Sequence, residues 1–324
     1  MLKLYMVKFF IFCFFMHLAF ADGACNNSEN LDSLFHREGV VDVENGKLYY
    51  QTFGQGTPII VLHGGPGLDQ NYLLPQLLHL ASDNQLILYD QRGSGRSLDT
   101  GFGSEYINID QFVDDLEILR QSLGIDKFVL LGHSWGGFLG MKYAMKYQDH
   151  LSGLILLNSV AADYRGQHAF VDEFYMRTKP VLDEIKDFFT YEDFIQLDAS
   201  QITKGYKALF SVYLYDPQMI DKMSLSFDVK SAQGGVRVRE EMAKTAWMQP
   251  GIDLLPSLKK LELPTFILHG KQDIVPVWAA EEIHKAIPNS EIVLIDKCGH
   301  FAFLERPLQF NAAVHRFLRK IDEM

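Results

Sequence analysis

Six short apolar runs constrain this chain more than any other feature. "TPIIVLHGGPG", "NQLILYDQRGSGRS", "KFVLLGHS", "LSGLILLNS", "LPTFILHG" and "SEIVLID" are strand-length and stay apolar until polar or glycine-rich residues end them. Helical patterns lie between them: "NYLLPQLLHLAS", "IDQFVDDLEILRQSLG" with Asp110 near its start and Gly124 at its end, "FLGMKYAMKY", "VWAAEEIHKAI" and a last helix from Pro307. Strands that are apolar on both faces and alternate with helices predict a mostly parallel sheet covered on both sides. Ligands of such sheets bind beyond the carboxyl ends of the strands. The loops carrying His63, Asp90 and Ser134 are therefore expected on one edge. Ahead of these runs, Val40 to Val43, a turn at Glu44-Asn45-Gly46 and Leu48 to Phe53 read as a hairpin.

The alternation breaks near Ala161. Residues 161–250 are aromatic, charged and mainly helical in pattern, as in "AFVDEFYMRTKPVLDEIKDFF", "YEDFIQL" and "VRVREEMAKTAWM". They are expected to form a helical cap inserted between two parts of an α/β core, residues 40–160 and 251–324. The 324 residues, 48% of them hydrophobic, suffice for a large core of this kind.

The first 21 residues read as a signal peptide. Lys3 and Lys8 precede the apolar stretch "FFIFCFFMHLAF", and Ala19-Phe20-Ala21 offers a cleavage site. This stretch of twelve residues, apolar except for His17, falls short of the roughly 20 that a spanning helix needs, which favours cleavage over a retained membrane anchor. The expected mature chain begins with an extension over 22–39 and is periplasmic or secreted, without stable membrane insertion. Losing two lysines and no acid takes the net charge from −11 to −13, which excludes binding nucleic acid or anionic lipid through global charge. Cys25 and Cys298 would remain, and an export compartment permits a disulfide between them. No cysteine cluster of metal-ligand spacing is present, and neither metal nor organic cofactor is expected.

Gly132-x-Ser134-x-Gly136 joins the "KFVLLG" strand to a helix. A serine on so sharp a turn needs small neighbours and presents its hydroxyl at the sheet edge. To act as a nucleophile it also needs a base, an orienting acid and oxyanion donors. Asp273 follows the "LPTFILHG" strand, and His300 follows "SEIVLID". Taken singly, Asp273 also fits a turn residue capping the helix after Pro276, and His300 a surface loop histidine. Together, three residues at three strand ends in the order Ser134, Asp273, His300 point to nucleophile, acid and base. The separation of 139 positions from the first to the second leaves room for the cap. The backbone N–H groups of Trp135 and of Gly65, in "HGGPG", are the expected oxyanion donors. His63 reads as a structural loop residue.

"HGGPG" at 63–67, "DQRGSGRS" at 90–97, "GHSWGG" at 132–137, Asp273 and "GH" at 299–300 resemble the α/β-hydrolase superfamily, and within it the proline iminopeptidase branch. The resemblance covers residues 40–320. It implies an α/β-hydrolase fold with a cap, and a serine peptidase that releases N-terminal proline or another small residue from short peptides. Members of that branch recognise the free amine with acidic side chains, for which Glu173, Glu240 and Glu241 in the cap region and Glu305 are the candidates. The alternative is a carboxylesterase using the same triad on small acyl esters.

Overall fold

A computed structural model describes residues 36–98, 103–186 and 197–324. Residues 1–21, expected above to be a signal peptide, Cys25 and most of "YEDFIQL" lie outside the described residues. Cys298 is buried as a free thiol.

Eight described strands form one sheet: β1 (His36–Val43), β2 (Gly46–Phe53), β3 (Thr57–Leu62), β4 (Asn84–Tyr89), β5 (Phe128–His133), β6 (Leu151–Leu157), β7 (Thr265–Gly270) and β8 (Ser290–Ile295). Their spatial order is β1-β2-β4-β3-β5-β6-β7-β8. The hairpin β1–β2 and the β2–β4 pair are antiparallel, and every other neighbour is parallel. The register aligns the carboxyl ends of the central strands. Leu62 pairs with Gly132, His133 with Leu157, and Gly270 with Ile295.

Strand periodicity explains how both faces are filled. On β3, Ile60 and Leu62 pack into one apolar cluster while Ile59 and Val61 pack into the other. β5 divides Phe128 and Leu130 from Val129 and Leu131 in the same way. The first cluster is covered by α1 (Ile109–Ser122), α2 (Trp135–Tyr147) and α6 (Val277–Ala286), and the second by α7 (Pro307–Asp322). α1 begins on the side chain of Asn108, which accepts the Gln111 N–H. It ends where Gly124, at φ +65°, lets the Gly124 and Ile125 N–H groups turn back onto the Gln121 and Arg120 carbonyls.

The "NYLLPQLLHLAS" segment departs from the expected helix. It forms two 3₁₀ turns, Gln70–Leu73 and Leu78–Ser82. Pro75 separates them because it has no N–H and forces Leu74 out of the helical region, to φ −97° and ψ 145°.

Between β6 and β7 the chain leaves the sheet for a helical segment built on α3 (Tyr164–Thr178), α4 (Ala199–Ser211) and α5 (Val229–Thr245). α5 approaches the loop after β3 so closely that a Cβ on Gly235 would overlap the Gly67 carbonyl oxygen. Beside it, the loop after β4 is anchored to α1 by a buried pair. Arg92 donates from Nε to Asp115 Oδ2 at 2.7 Å and from Nη2 to Oδ1 at 2.5 Å. Both side chains are almost fully withdrawn from water.

Asp115→Ala would strand the Arg92 guanidinium in the core without its carboxylate. The expected cost is about 3–5 kcal/mol in urea unfolding, with much of it recovered when Arg92→Met is added. A loss below about 1 kcal/mol would show that the pair does not anchor this loop.

Candidate active site

Ser134 sits at the junction of β5 and α2 with φ 57° and ψ −120°, a positive φ on a residue with a side chain. Such backbone costs of order 1–3 kcal/mol and persists only where its surroundings over-determine it. Here they do. A Cβ at Gly132 would overlap the Gly136 carbonyl, and one at Gly136 would overlap the carbonyl of Leu62 on β3. The turn closes tightly only with glycine at both positions. Its backbone is tied down by Ser134 N–H to Leu157 O at 3.1 Å, and by Gly137 and Val160 N–H donating to Ser134 O at 2.9 and 3.2 Å.

The loop after β7 supplies Asp273 and the loop after β8 supplies His300. His300 Nδ1–H donates to Asp273 Oδ1 at 2.8 Å, and the His300 backbone N–H donates to Tyr213 O at 2.9 Å. The same Oδ1 accepts the Val275 N–H at 2.9 Å, and Oδ2 accepts the Asn158 amide at 2.7 Å. His269 Nε2 stands 3.5 Å from Oδ2. Burial is the largest influence on Asp273 and would raise its pKa. The charges of His300 and His269, with the hydrogen bonds from His300 and Asn158, outweigh it and hold the carboxyl at about 2. Asp273 is thus an ionised acceptor that fixes the His300 ring with Nε2 turned away from it.

Two further histidines tie the loops together. Gly64 N–H donates to the Tyr72 hydroxyl at 2.7 Å, which donates to His133 Nδ1 at 2.6 Å. His133 Nε2–H donates to the His300 carbonyl at 3.0 Å. The carbonyl at one end fixes Nε2 as a donor, and Tyr72, which already accepts the Gly64 N–H, has its own hydrogen to give to Nδ1; a neutral His133 satisfies every group in the chain. Its pKa is pushed down to about 3, by burial first and then by the charge of His300, against the pull of its bond to the His300 carbonyl. His63 is equally committed: Nδ1–H donates to Gly64 O, and Nε2 accepts the Gln91 N–H at 3.0 Å. The Gln91 side chain then bridges the His63 carbonyl and the Trp135 indole N–H. With both ring nitrogens occupied, His63 has no site left to act as a base.

Ser134 and His300 line one cavity of about 90 Å³ with Gly64, Gly65, Pro66 and Leu68 from the loop after β3. Phe170, Tyr206, Phe210, Tyr213 and Trp247 form its apolar wall. Gly65 lies on the wall, and Trp135 heads α2, where backbone donors lack partners within the helix. None of the four acidic candidates lines the cavity. Glu305 gives its carboxylate to the Gly299, Phe301 and Tyr215 N–H groups and braces the loop around His300. Glu173 pairs with Arg177, whose guanidinium also donates to the carbonyls of Gln272 and Asp273. Glu241 pairs with Lys244, and Glu240 is half-buried elsewhere on α5. Among the described residues, the charged side chain that does line the cavity, apart from its histidines, is Arg239. Among the described residues no group of three or more His, Cys, Asp or Glu is placed to hold a metal ion.

Linkage makes His133 testable. Its pKa in the folded state lies below the ordinary 6.5 of an unfolded chain, so between about 6.5 and 3 the unfolded state binds more protons. The contribution is whole above 6.5 and is lost as pH falls toward 3. Relative to wild type, His133→Gln, whose amide reproduces both hydrogen bonds without titrating, should flatten the fall in unfolding free energy by up to about 1.4 kcal/mol per pH unit. Identical slopes in the two proteins would refute the neutral-histidine assignment.

A family model described as alpha/beta hydrolase fold matches residues 57–307. A proline iminopeptidase of Saccharolobus solfataricus is 30% identical over 297 residues, covering 88% of this chain and 93% of its own. One from Thermoplasma volcanium is 28% identical over 291 residues, covering 87% and 97%. Among solved structures, a proline iminopeptidase from Mycobacterium smegmatis superimposes with a TM-score of 0.65 at 21% identity, over 88% of this chain and 99% of that one. An alpha/beta fold family hydrolase from Bacillus anthracis gives 0.66 at 23% identity, over 87% and 99%. The chain belongs to the α/β-hydrolase family and, within it, to the proline iminopeptidase-like hydrolases.

Proposed function

We propose that the protein is a serine aminopeptidase that releases N-terminal proline, or another small residue, from short peptides through an acyl-enzyme. One observation carries the reading: a strained serine and an aspartate-bound histidine face the same small, aromatic-walled cavity. In this reading His300 Nε2 takes the Ser134 proton as Oγ attacks the scissile carbonyl. The ionised Asp273 keeps the imidazole in the productive tautomer and stabilises the imidazolium. The Gly65 and Trp135 N–H groups receive the oxyanion, each donor being worth about 2.7–4 kcal/mol in comparable sites. His300 then returns the proton to the leaving amine, and water attacks the prolyl ester with the same base.

The helical segment, residues 161–250, acts as the cap that limits entry to short substrates. Its grip on the catalytic loops supports this role. Arg177 of α3 holds the carbonyls beside Asp273, and Gly235 of α5 rests on Gly67. Residues 1–21 serve as the export signal, which places the mature enzyme outside the cytoplasm. Among the described residues no helix is long and apolar enough to cross a membrane. The curated relatives named above favour the peptidase over the esterase reading.

Prolyl-, alanyl- and leucyl-arylamides compared with a short-chain nitrophenyl ester test the assignment. Wild type should cleave the prolyl arylamide with the highest kcat/KM, and blocking the amine should abolish cleavage. Ser134→Ala should lower kcat by about 10⁴-fold or more and Asp273→Asn by about 10⁴-fold, with the fold retained. Ester hydrolysis without arylamide cleavage would transfer the protein to the esterases. Appreciable turnover by Ser134→Ala would remove the triad.

A further inference from the structure

Asp273 and His300 stand on loops beyond the ends of β7 and β8, yet an acid–histidine pair works only when held within about 0.5 Å of its productive geometry. Much of what holds these loops comes from the helical segment. Arg177, in the last turn of α3, donates from Nη1 to the Gln272 carbonyl and from Nη2 to the Asp273 carbonyl, both at 3.1 Å. Nη1 also lies 3.5 Å from the Val212 carbonyl, and Glu173, one turn earlier, accepts the Nε–H at 2.6 Å. Glu173 thereby fixes the plane of the guanidinium. The planar fork then spans two consecutive carbonyls, a geometry that a lysine ammonium does not reproduce.

The same grip extends to His300. Gln272 N–H donates to the Cys298 carbonyl at 2.9 Å, and the Gln272 side-chain oxygen accepts the Cys298 N–H at 3.0 Å, two residues before the histidine. Next to Val212, the Tyr213 carbonyl accepts the His300 N–H, and the Tyr213 ring stands edge-on to the imidazole with centroids 5.4 Å apart. The approach is so close that a Cβ on Gly299 would overlap the Tyr213 carbonyl. Arg177 therefore touches the backbone that carries each partner of the Asp273–His300 hydrogen bond, while standing outside the cavity wall itself. Building on the mechanism proposed above, we propose that Arg177 is a positioning residue for the reaction. By holding the Gln272 and Asp273 carbonyls it sets the Asp273 carboxylate against His300, and it makes the helical segment part of the acid–base apparatus. Substrate in the cavity does not meet Arg177, so its loss should spare binding and slow the chemical step.

The test measures kcat and KM for Arg177→Met and Arg177→Lys, with Arg177→Met also placed in an Asp273→Asn background. Rates are taken per folded molecule, from near-UV circular dichroism, on the prolyl arylamide and the nitrophenyl ester in parallel. The ratios are read on whichever substrate is turned over, so a failed aminopeptidase reading does not touch them. Arg177→Met should lower kcat roughly 10- to 100-fold, the cost of misplacing a reacting group by about 1 Å, with KM within about threefold of wild type. Arg177→Lys should recover part of the loss because it still reaches one carbonyl. In the Asp273→Asn background Arg177→Met should cause no further loss, since a residue that acts through the Asp273 carboxylate has nothing left to place. A merely structural role would lower both backgrounds alike. A kcat for Arg177→Met within about threefold of wild type, a loss carried by KM, or an equal loss in both backgrounds overturns the proposal and leaves the triad intact. Full turnover by Asp273→Asn alone overturns the triad and the proposal together.

Discussion

The site depends on keeping a carboxylate ionised where there is no water to solvate it. Asp273 is 6% exposed, and its two oxygens are met by the His300 ring, the Asn158 amide and the Val275 N–H. Remove those donors and burial would neutralise the acid, leaving the imidazole without the charge that orients it. Each donor is placed by the sheet. Asn158 follows β6 directly, at φ 45°, with its N–H on the Leu268 carbonyl and its side chain also on Gly299. The three parallel strands β6, β7 and β8 thus converge on one carboxylate, and their register decides whether it can do its work.

A second network holds the Ser134 side of the cavity to the His300 side. The chain Gly64, Tyr72, His133, His300 runs from the loop after β3, through the residue that precedes Ser134, to the backbone of His300. Gly64 gives a hydrogen, Tyr72 and His133 each take one and give one, and the His300 carbonyl takes the last, so a displacement of the glycine loop is felt at His300. The Glu305 carboxylate adds three more ties by accepting the backbone N–H groups of Tyr215, Gly299 and Phe301. These bonds consume histidine and glutamate side chains that would otherwise look like chemistry. They show why counting titratable residues near a serine overstates the number that react.

Much of this was legible in the sequence, for physical reasons that differ by element. The buried strands are visible because parallel strands covered on both faces leave no polar alternation. The elbow is visible because only glycine fits against the Gly136 and Leu62 carbonyls. Asp273 and His300 could be found by their places at strand ends, a property of chain order. What escaped depends on side-chain direction and on pairs distant in sequence. His133 and Tyr72 are 61 residues apart, and neither signals the other. Asn158 invites dismissal as a non-acid, although its amide is what the acid needs. The helical segment was read for carboxylates, yet Glu173 and Glu241 satisfy lysine and arginine neighbours while Arg239 faces the cavity. In "NYLLPQLLHLAS" the apolar spacing suggested one helix, and Pro75 overrode it.

The most direct measurement is the site and rate of modification by a small fluorophosphonate, read by intact mass and peptide mapping. A serine made nucleophilic by His300 should take up one adduct per chain, on the peptide carrying Ser134. Uptake should slow sharply in His300→Gln while the fold is retained. No adduct, an adduct on another residue, or a rate indifferent to His300 would contradict the account.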